Sequence, residues 1–136
     1  MAKTVADLNL DDEHITVGVD DTLQEGAKRM MSIQGGIVIV LNDSNNVKGV
    51  LGTNQFLKAM SQAVDASDTK CAEWMEMDFL EVKLSETLKS VLDNVAKRAP
   101  QAVIAVEEEG EFVGYFSPSD YQQATSLVDS LKGLNL

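Results

Sequence analysis

Apolar positions along the chain change period every few residues, and the changes mark the elements. Ile15, Val17 and Val19 alternate with small or polar neighbours, the period-two pattern of a strand over His14 to Val19. Asp20-Asp21-Thr22 then supplies a cap. Leu23, Ala27, Met30 and Met31 recur at helical spacing as far as Gly35-Gly36, which predicts a helix ended by those two glycines. Ile37-Val38-Ile39-Val40-Leu41 is a short, continuous, β-branched run and reads as a central strand covered on both faces. The turn formers Asn42-Asp43-Ser44-Asn45-Asn46 lead into a second strand, Val47 to Leu51, making a hairpin. A helix from about Thr53 to Ala63 closes this unit, and a short segment, Val5 to Leu8, with an acidic turn, Asp11-Asp12-Glu13, precedes it.

The pattern then repeats. Thr22-Leu23 recurs 65 residues later as Thr87-Leu88, and at the same offset Val17 meets Val82, Val38-Ile39 meets Val103-Ile104, Gly49 meets Gly114, Phe56 meets Tyr121 and Ala59 meets Ala124. Upstream, Ala6-Asp7-Leu8 matches Ala72-Glu73-Trp74 only after a one-residue shift. A three-stranded sheet cannot bury its faces alone, so the two strand-helix-hairpin-helix repeats, residues 1–66 and 67–136, are expected to pack face to face as one pseudo-symmetric α/β (α+β) module. The linker, Val64 to Lys70, is polar and has neither Pro nor Gly.

The densest local signal is Gly114-Tyr115-Phe116-Ser117-Pro118-Ser119-Asp120-Tyr121. Val113, Tyr115 and Phe116 suit a strand; Ser117 is a good N-cap, Pro118 fits the first helical position, and Asp120 falls in the first turn. Two readings are open. Ser117 and Asp120 can satisfy each other's backbone N–H groups as a capping box. Alternatively, Asp120 can accept from the vicinal hydroxyls of a ribose while Ser117 and the helix N–H groups meet a phosphate.

These residues resemble the tandem CBS domain, or Bateman module. The likeness spans nearly the whole chain and rests on a D/E-T-L helix start (Asp21-Thr22-Leu23, Glu86-Thr87-Leu88), an apolar strand (Ile37 to Leu41, Ala102 to Val106), an acidic or Asn-rich turn, and then G-x-x-S/T-x-x-D. The resemblance implies a regulatory or sensor module that binds an adenosine-containing ligand (AMP, ATP, S-adenosylmethionine or a relative) and signals to an effector protein in trans, no effector domain being attached. It places Asp120 on the ribose and Ser117 beside ribose or phosphate at the helix start with Pro118 and Ser119. Adenine would lie among Phe79, Leu80 and Val82 of the second repeat's first strand and Gln101-Ala102 entering its core strand, where the family works by backbone and shape. It also implies a homodimer through helices that carry Phe56, Leu57, Met60, Tyr121, Leu127, Val128 and Leu131, although Leu127, Val128, Leu131 and Leu134 have the spacing to cap the module's own core instead. The first repeat departs from the pattern: Gly52 stands in the Ser/Thr place and Gln55 in the Asp place, so that cleft is expected to be empty, weak or differently specific.

Charge narrows the function further. The formal net charge is -11, with the acids spread along the chain, and Lys28-Arg29 and Lys97-Arg98 are isolated pairs; no basic stripe exists to hold nucleic acid. No basic residue stands at the entry to either core strand, where Gly35-Gly36 and Pro100-Gln101 lie, which disfavours a polyphosphate. No apolar run is long enough to span a bilayer, and the N-terminus has no signal-peptide core, so a cytoplasmic protein is expected. Cys71 is the single cysteine and His14 the single histidine, so neither a zinc site nor a nucleophile with its base can be assembled, and an enzyme is disfavoured. The acid clusters Asp11-Asp12-Glu13 and Glu107-Glu108-Glu109 read as solvated turns rather than metal sites, and the methionines at 30, 31, 60, 75 and 77 as core and interface filler. A second class of function stays in view, a module that binds no ligand and works through protein contacts of its helices.

Overall fold

The structure, a computed structural model, describes residues 3–10, 14–33 and 36–134, the side chains from 130 onward excepted. The acidic turn Asp11-Asp12-Glu13, Gly35 and the side chains of Leu131 and Leu134 lie outside the described residues. The elements run β1 (His14–Gly18), α1 (Leu23–Met30), β2 (Ile37–Leu41), β3 (Val47–Leu51) and α2 (Thr53–Ser61), then β4 (Phe79–Lys83), α3 (Leu88–Arg98), β5 (Ala102–Val106), β6 (Phe112–Phe116) and α4 (Pro118–Leu134). Each element of the second set begins 65 residues after its counterpart in the first.

The shared helix start has a local cause. Asp21 Oδ2 accepts the Gly18 N–H at 2.7 Å, closing the turn out of β1, and Thr22 Oγ1 accepts the Glu25 N–H at 3.2 Å as the N-cap of α1. Glu86 does the same for Lys83 at 3.1 Å, and Thr87 for Ser90 at 3.2 Å, at the head of α3. Leu23 and Leu88 follow as the first fully buried residues of their helices. The helix ends differ from expectation. α1 stops at Met30, before the glycines, with Met31 as its C-cap; beyond the last turn Met31 has no core to face and is 86% exposed. α2 ends at Ser61, two residues short of Ala63.

Two three-stranded sheets result, ordered β1-β2-β3 and β4-β5-β6. β1 and β2 are parallel because α1 carries the chain between them, whereas β2/β3 and β5/β6 are antiparallel hairpins with the same irregularity, between Val40 and Leu41 and between Ala105 and Val106. Equivalent turn positions take positive φ, Asn45 at 65° and Gly110 at 93°, which suits an amide that tolerates the left-handed region and a residue with no Cβ.

The chain forms two compact units, and they do not follow the contiguous segments 1–66 and 67–136 of the sequence repeat. One unit is Glu13–Phe79; the other joins Met1–Asp12 to Leu80–Leu136. The segment ahead of each repeat docks on the other repeat's fold. Val5 N–H donates to Glu86 O at 3.0 Å, Ala6 N–H to Leu84 O at 3.1 Å, and Leu88 N–H to Lys3 O at 2.9 Å. In the same way Leu23 N–H donates to Thr69 O at 2.8 Å, Cys71 N–H to Asp21 O at 2.8 Å, and Glu76 N–H to Val50 O at 2.7 Å. Two glycines admit these segments. A Cβ on Gly49 would stand 2.5 Å from Met75 Cγ, and one on Gly114 would stand 2.6 Å from Leu10 Cβ. One core then gathers Val17, Leu23, Val38, Val40, Leu51, Ala59 and Cys71. The other gathers Val5, Leu8, Leu10, Val82, Leu88, Val91, Val103 and Phe116, with half-buried Leu127 and Val128 packed on it. Those two α4 residues cap their own core, the alternative that the helical spacing had left open.

Cys71 is a buried thiol whose Sγ donates to Thr22 O at 3.3 Å. Burial, and after it the nearby Asp21 carboxylate, push its pKa up from 9.0 to about 11. The folded chain therefore holds a proton that the unfolded chain has released, and the stability this confers is lost as pH rises from about 9 towards 11. Urea midpoints should fall more steeply over that window in the wild type than in Cys71→Ala. A thiol reagent should label Cys71 only as the chain unfolds.

Candidate functional site

The junction of β6 and α4 is built as a closed ring of hydrogen bonds. Ser117 N–H donates to Asp120 Oδ2 at 2.9 Å and Ser117 Oγ–H to the same oxygen at 3.0 Å, while Asp120 N–H donates back to Ser117 Oγ at 3.2 Å. Tyr121 N–H, the first true helical donor, reaches Ser117 O at 2.9 Å. Ser117 is fully buried and Asp120 is 4% exposed. The capping-box arrangement is therefore formed, and it changes what the helix end can offer a ligand. Pro118 has no N–H, the Ser117 and Asp120 N–H groups are inside the ring, and of the first three helical residues only Ser119 keeps an outward amide. One amide is a poor cradle for a phosphate, so the several N–H groups expected from 117 to 120 shrink to one.

At the equivalent place in the other unit the ring is half made. Gly52 N–H donates to Gln55 Oε1 at 2.8 Å, but Gly52 has no side chain to return the bond, and Gln55 is buried without charge.

Beside the ring lies a shallow pocket of about 160 Å³ lined by Pro100, Gln101, Ala102, Val103, Tyr115, Phe116, Ser117, Pro118 and Tyr121. It brings together four of the residues expected at the site: Gln101, Ala102, Ser117 and Pro118. Asp120 is buried and does not line the pocket, its carboxylate lying one hydrogen bond behind Ser117, and Ser119 is exposed on the first turn. Phe79 and Leu80 are half-buried on β4, whereas the Val82 side chain is fully inside the core, so only its backbone faces anything else. Tyr115, Phe116 and Tyr121 line the pocket although residue chemistry did not single them out. Their signal was position, since all three flank the Ser117–Asp120 motif. The volume is below the about 300–1,000 Å³ of a pocket that encloses a whole small-molecule ligand, and matches a base or a sugar better. Lys97 and Arg98 are exposed at the end of α3 and are not in its lining.

The counterpart positions Gly36, Thr53 and Phe56 line a different cavity of about 300 Å³ with Ala27, Met30, Met31, Ile33 and Leu57, whose only polar side chain is Thr53. His14 is half-buried on β1. Glu107 and Glu108 hold the β5–β6 turn through backbone carbonyls that accept from Lys83 Nζ. Among the described residues no group of three His, Cys, Asp or Glu is placed to hold a metal, and no helix is long and apolar enough to cross a membrane.

Against known proteins, residues 5–62 match the CBS domain family. No curated protein sequence matches the chain. Among solved structures, an uncharacterized conserved protein from Pyrococcus horikoshii superposes with a TM-score of 0.71 at 22% identity, covering 92% of this chain and 93% of that one. CBSX2 in complex with AMP gives 0.73 at 15% identity, covering 93% and 98%. The cytosolic domain of the Mg2+ channel MgtE in complex with ATP gives 0.66 at 21% identity, covering 84% of this chain and 46% of that one.

The ring makes a stability prediction that is independent of any ligand. Asp120→Ala removes the acceptor of two hydrogen bonds and leaves the buried Ser117 N–H unpaired, which should cost about 1–3 kcal/mol in urea unfolding. Asp120→Asn, which keeps an acceptor oxygen, should cost less than Asp120→Ala.

Proposed function

We propose that this chain, whose residues 5–62 match the CBS domain family and whose fold is that of a CBS-domain pair, is a regulatory module that binds an adenosine-containing ligand beside α4 and passes occupancy to a partner protein. One observation carries this reading: the strand-to-helix corner Gly114 to Asp120 puts Ser117 in the wall of an open pocket, with the Asp120 carboxylate hydrogen-bonded directly behind its hydroxyl. The AMP held by CBSX2 and the ATP held by the MgtE domain support an adenine nucleotide as the class of ligand. In this reading Asp120 and Ser117 serve the ribose end, Pro118 and Ser119 the helix start, and Gln101, Ala102 and the strand Phe79, Leu80 and Val82 the base. We assign the module to the cytoplasm, in keeping with its one unpaired, buried cysteine, and assign it no catalytic step.

The local charges select among adenosine ligands. Two like charges about 4 Å apart cost on the order of 4 kcal/mol at an effective dielectric near 20, and a triphosphate brings several. The pocket lining contains no Lys or Arg, and the cap leaves one outward amide. The net charge of -11 matters less, since the Debye length is only about 8 Å in physiological salt. AMP, adenosine or the cationic S-adenosylmethionine should therefore bind more tightly than magnesium-free ATP.

A specific observation favours an added protein-contact role. Met31, Met60 and Leu57 are 86%, 74% and 54% exposed around the half-buried Phe56, on the α1 and α2 side of their unit. Such a face fits a homodimer contact, which light scattering at micromolar concentration would refute by finding a monomer.

Thermal-shift and calorimetric titrations test the ligand. AMP at 100 times its dissociation constant should stabilise the fold by about 2.7 kcal/mol. One strong site per chain is expected, weakened about tenfold or more in a folded Asp120→Asn variant, which loses a charged acceptor. Two equal sites, or an unchanged affinity, would place binding elsewhere. A tenfold preference for magnesium-free ATP that disappears in Lys97→Ala or Arg98→Ala would refute the charge argument.

A further inference from the structure

Two consecutive residues of β6, Tyr115 and Phe116, belong to two structures at once. On one side Gly114 admits the leading segment so closely that a Cβ there would stand 2.6 Å from Leu10 Cβ and 2.7 Å from Leu10 O, and Tyr115 N–H donates to that same Leu10 carbonyl at 3.2 Å. On the other side Tyr115 and Phe116 line the pocket beside α4. Phe116 also lies in one buried cluster with Val5, Leu8 and Leu10 of the segment and Ala124 of α4. The next residue, Ser117, closes the capping ring. A displacement of the segment thus removes a backbone partner from Tyr115 and packing from behind Phe116, and both residues lead directly into the cap.

We infer that the leading segment, residues 3–10, is a positioning element for the pocket: its docking and the pocket's occupancy are coupled through Gly114–Ser117, so that a bound ligand holds the segment down and release of the segment loosens the pocket. The ligand side of this coupling rests on the nucleotide reading of the site; the mechanical side does not. The segment is held by the Val5, Ala6 and Tyr115 amides, the Lys3 carbonyl and the buried side chains of Val5, Leu8 and Leu10 rather than by strand pairing along its length, so a ligand that tightens the corner has a defined set of contacts to act through. Coupling of this kind is reciprocal, so each partner must feel the other by the same factor.

Residue-resolved amide hydrogen exchange on the intact chain, corrected for global stability measured by urea unfolding, tests both sides. Without ligand, Val5→Ala trims a fully buried side chain of the segment and Gly114→Ala displaces Leu10. Whichever of them folds should speed exchange of the Ser117 and Asp120 amides by about fivefold or more. Gly49→Ala, the matching insult against Met75 in the other unit, should leave those amides unchanged. With AMP, whose binding is measured separately by calorimetry, the Val5 and Ala6 amides should slow by a similar factor, and Val5→Ala should weaken AMP to match. If AMP gives no heat, the nucleotide reading fails, and the ligand-free exchange still decides: unaltered Ser117 and Asp120 protection in the segment variants overturns the coupling. If AMP binds and the Val5 and Ala6 amides do not respond, the coupling is overturned while the nucleotide reading stands.

Discussion

Burial of the two central strands is the constraint that the rest of each unit serves. Ala102–Val106 is buried at every position and Ile37–Leu41 at all but the last, and five apolar residues in a row leave no polar face to turn to water. A hairpin partner, a second neighbouring strand and two helices are supplied by the same repeat. The remaining cover comes from a segment that lies elsewhere in the chain, through Val5, Leu8 and Leu10 in one unit and Cys71, Trp74 and Met75 in the other. Gly49 and Gly114 are the consequence, because the strand beside the central one must let a foreign backbone or side chain approach to within a Cβ's radius.

The same requirement explains why the corner at Ser117 is closed by its own hydrogen bonds. The helix that follows β6 has to start at the edge of a buried strand, where unpaired N–H groups would be costly, and Ser117 and Asp120 satisfy two of them without water. That solution consumes the helix end's capacity for anions while keeping a carboxylate fixed next to an open pocket. In the other unit Gln55 Oε1 accepts from the Gly52 N–H, and the Gln55 N–H turns to the Gly52 carbonyl at 3.1 Å instead of to a side chain. A repeated fold has thus diverged at the few positions where backbone satisfaction and ligand chemistry compete for the same groups.

Much of the architecture was legible before any coordinates. The period changes located the first three strands to within a residue or two, and the 65-residue offset carried them to the second repeat because each repeat solves the same burial problem. The Thr caps, the proline-opened α4 and the hairpin turns were legible because their causes are local, a side chain bonding a backbone group two or three residues away. Helix ends were less so. Met31 has helical spacing, yet the turn that would have buried it does not form, and nothing within a few residues signals the stop.

The linear sequence by itself determined the repeat, its elements and the Ser117–Asp120 corner, since periodicity, capping and turn chemistry act over a few residues. Only the tertiary structure decided which segment completes which unit. The one-residue shift between Ala6–Leu8 and Ala72–Trp74 was visible, but its meaning was not: Thr4 bridges Thr87 and Lys70 bridges Thr22, pairings across 83 and 48 residues that no periodicity encodes. The tertiary structure likewise decided that Asp120's carboxylate is first an internal acceptor and that Leu127 and Val128 face their own core. Both outcomes depend on what lies opposite a side chain in space, which is set by burial and hydrogen-bond satisfaction over the whole unit rather than by the residues on either side.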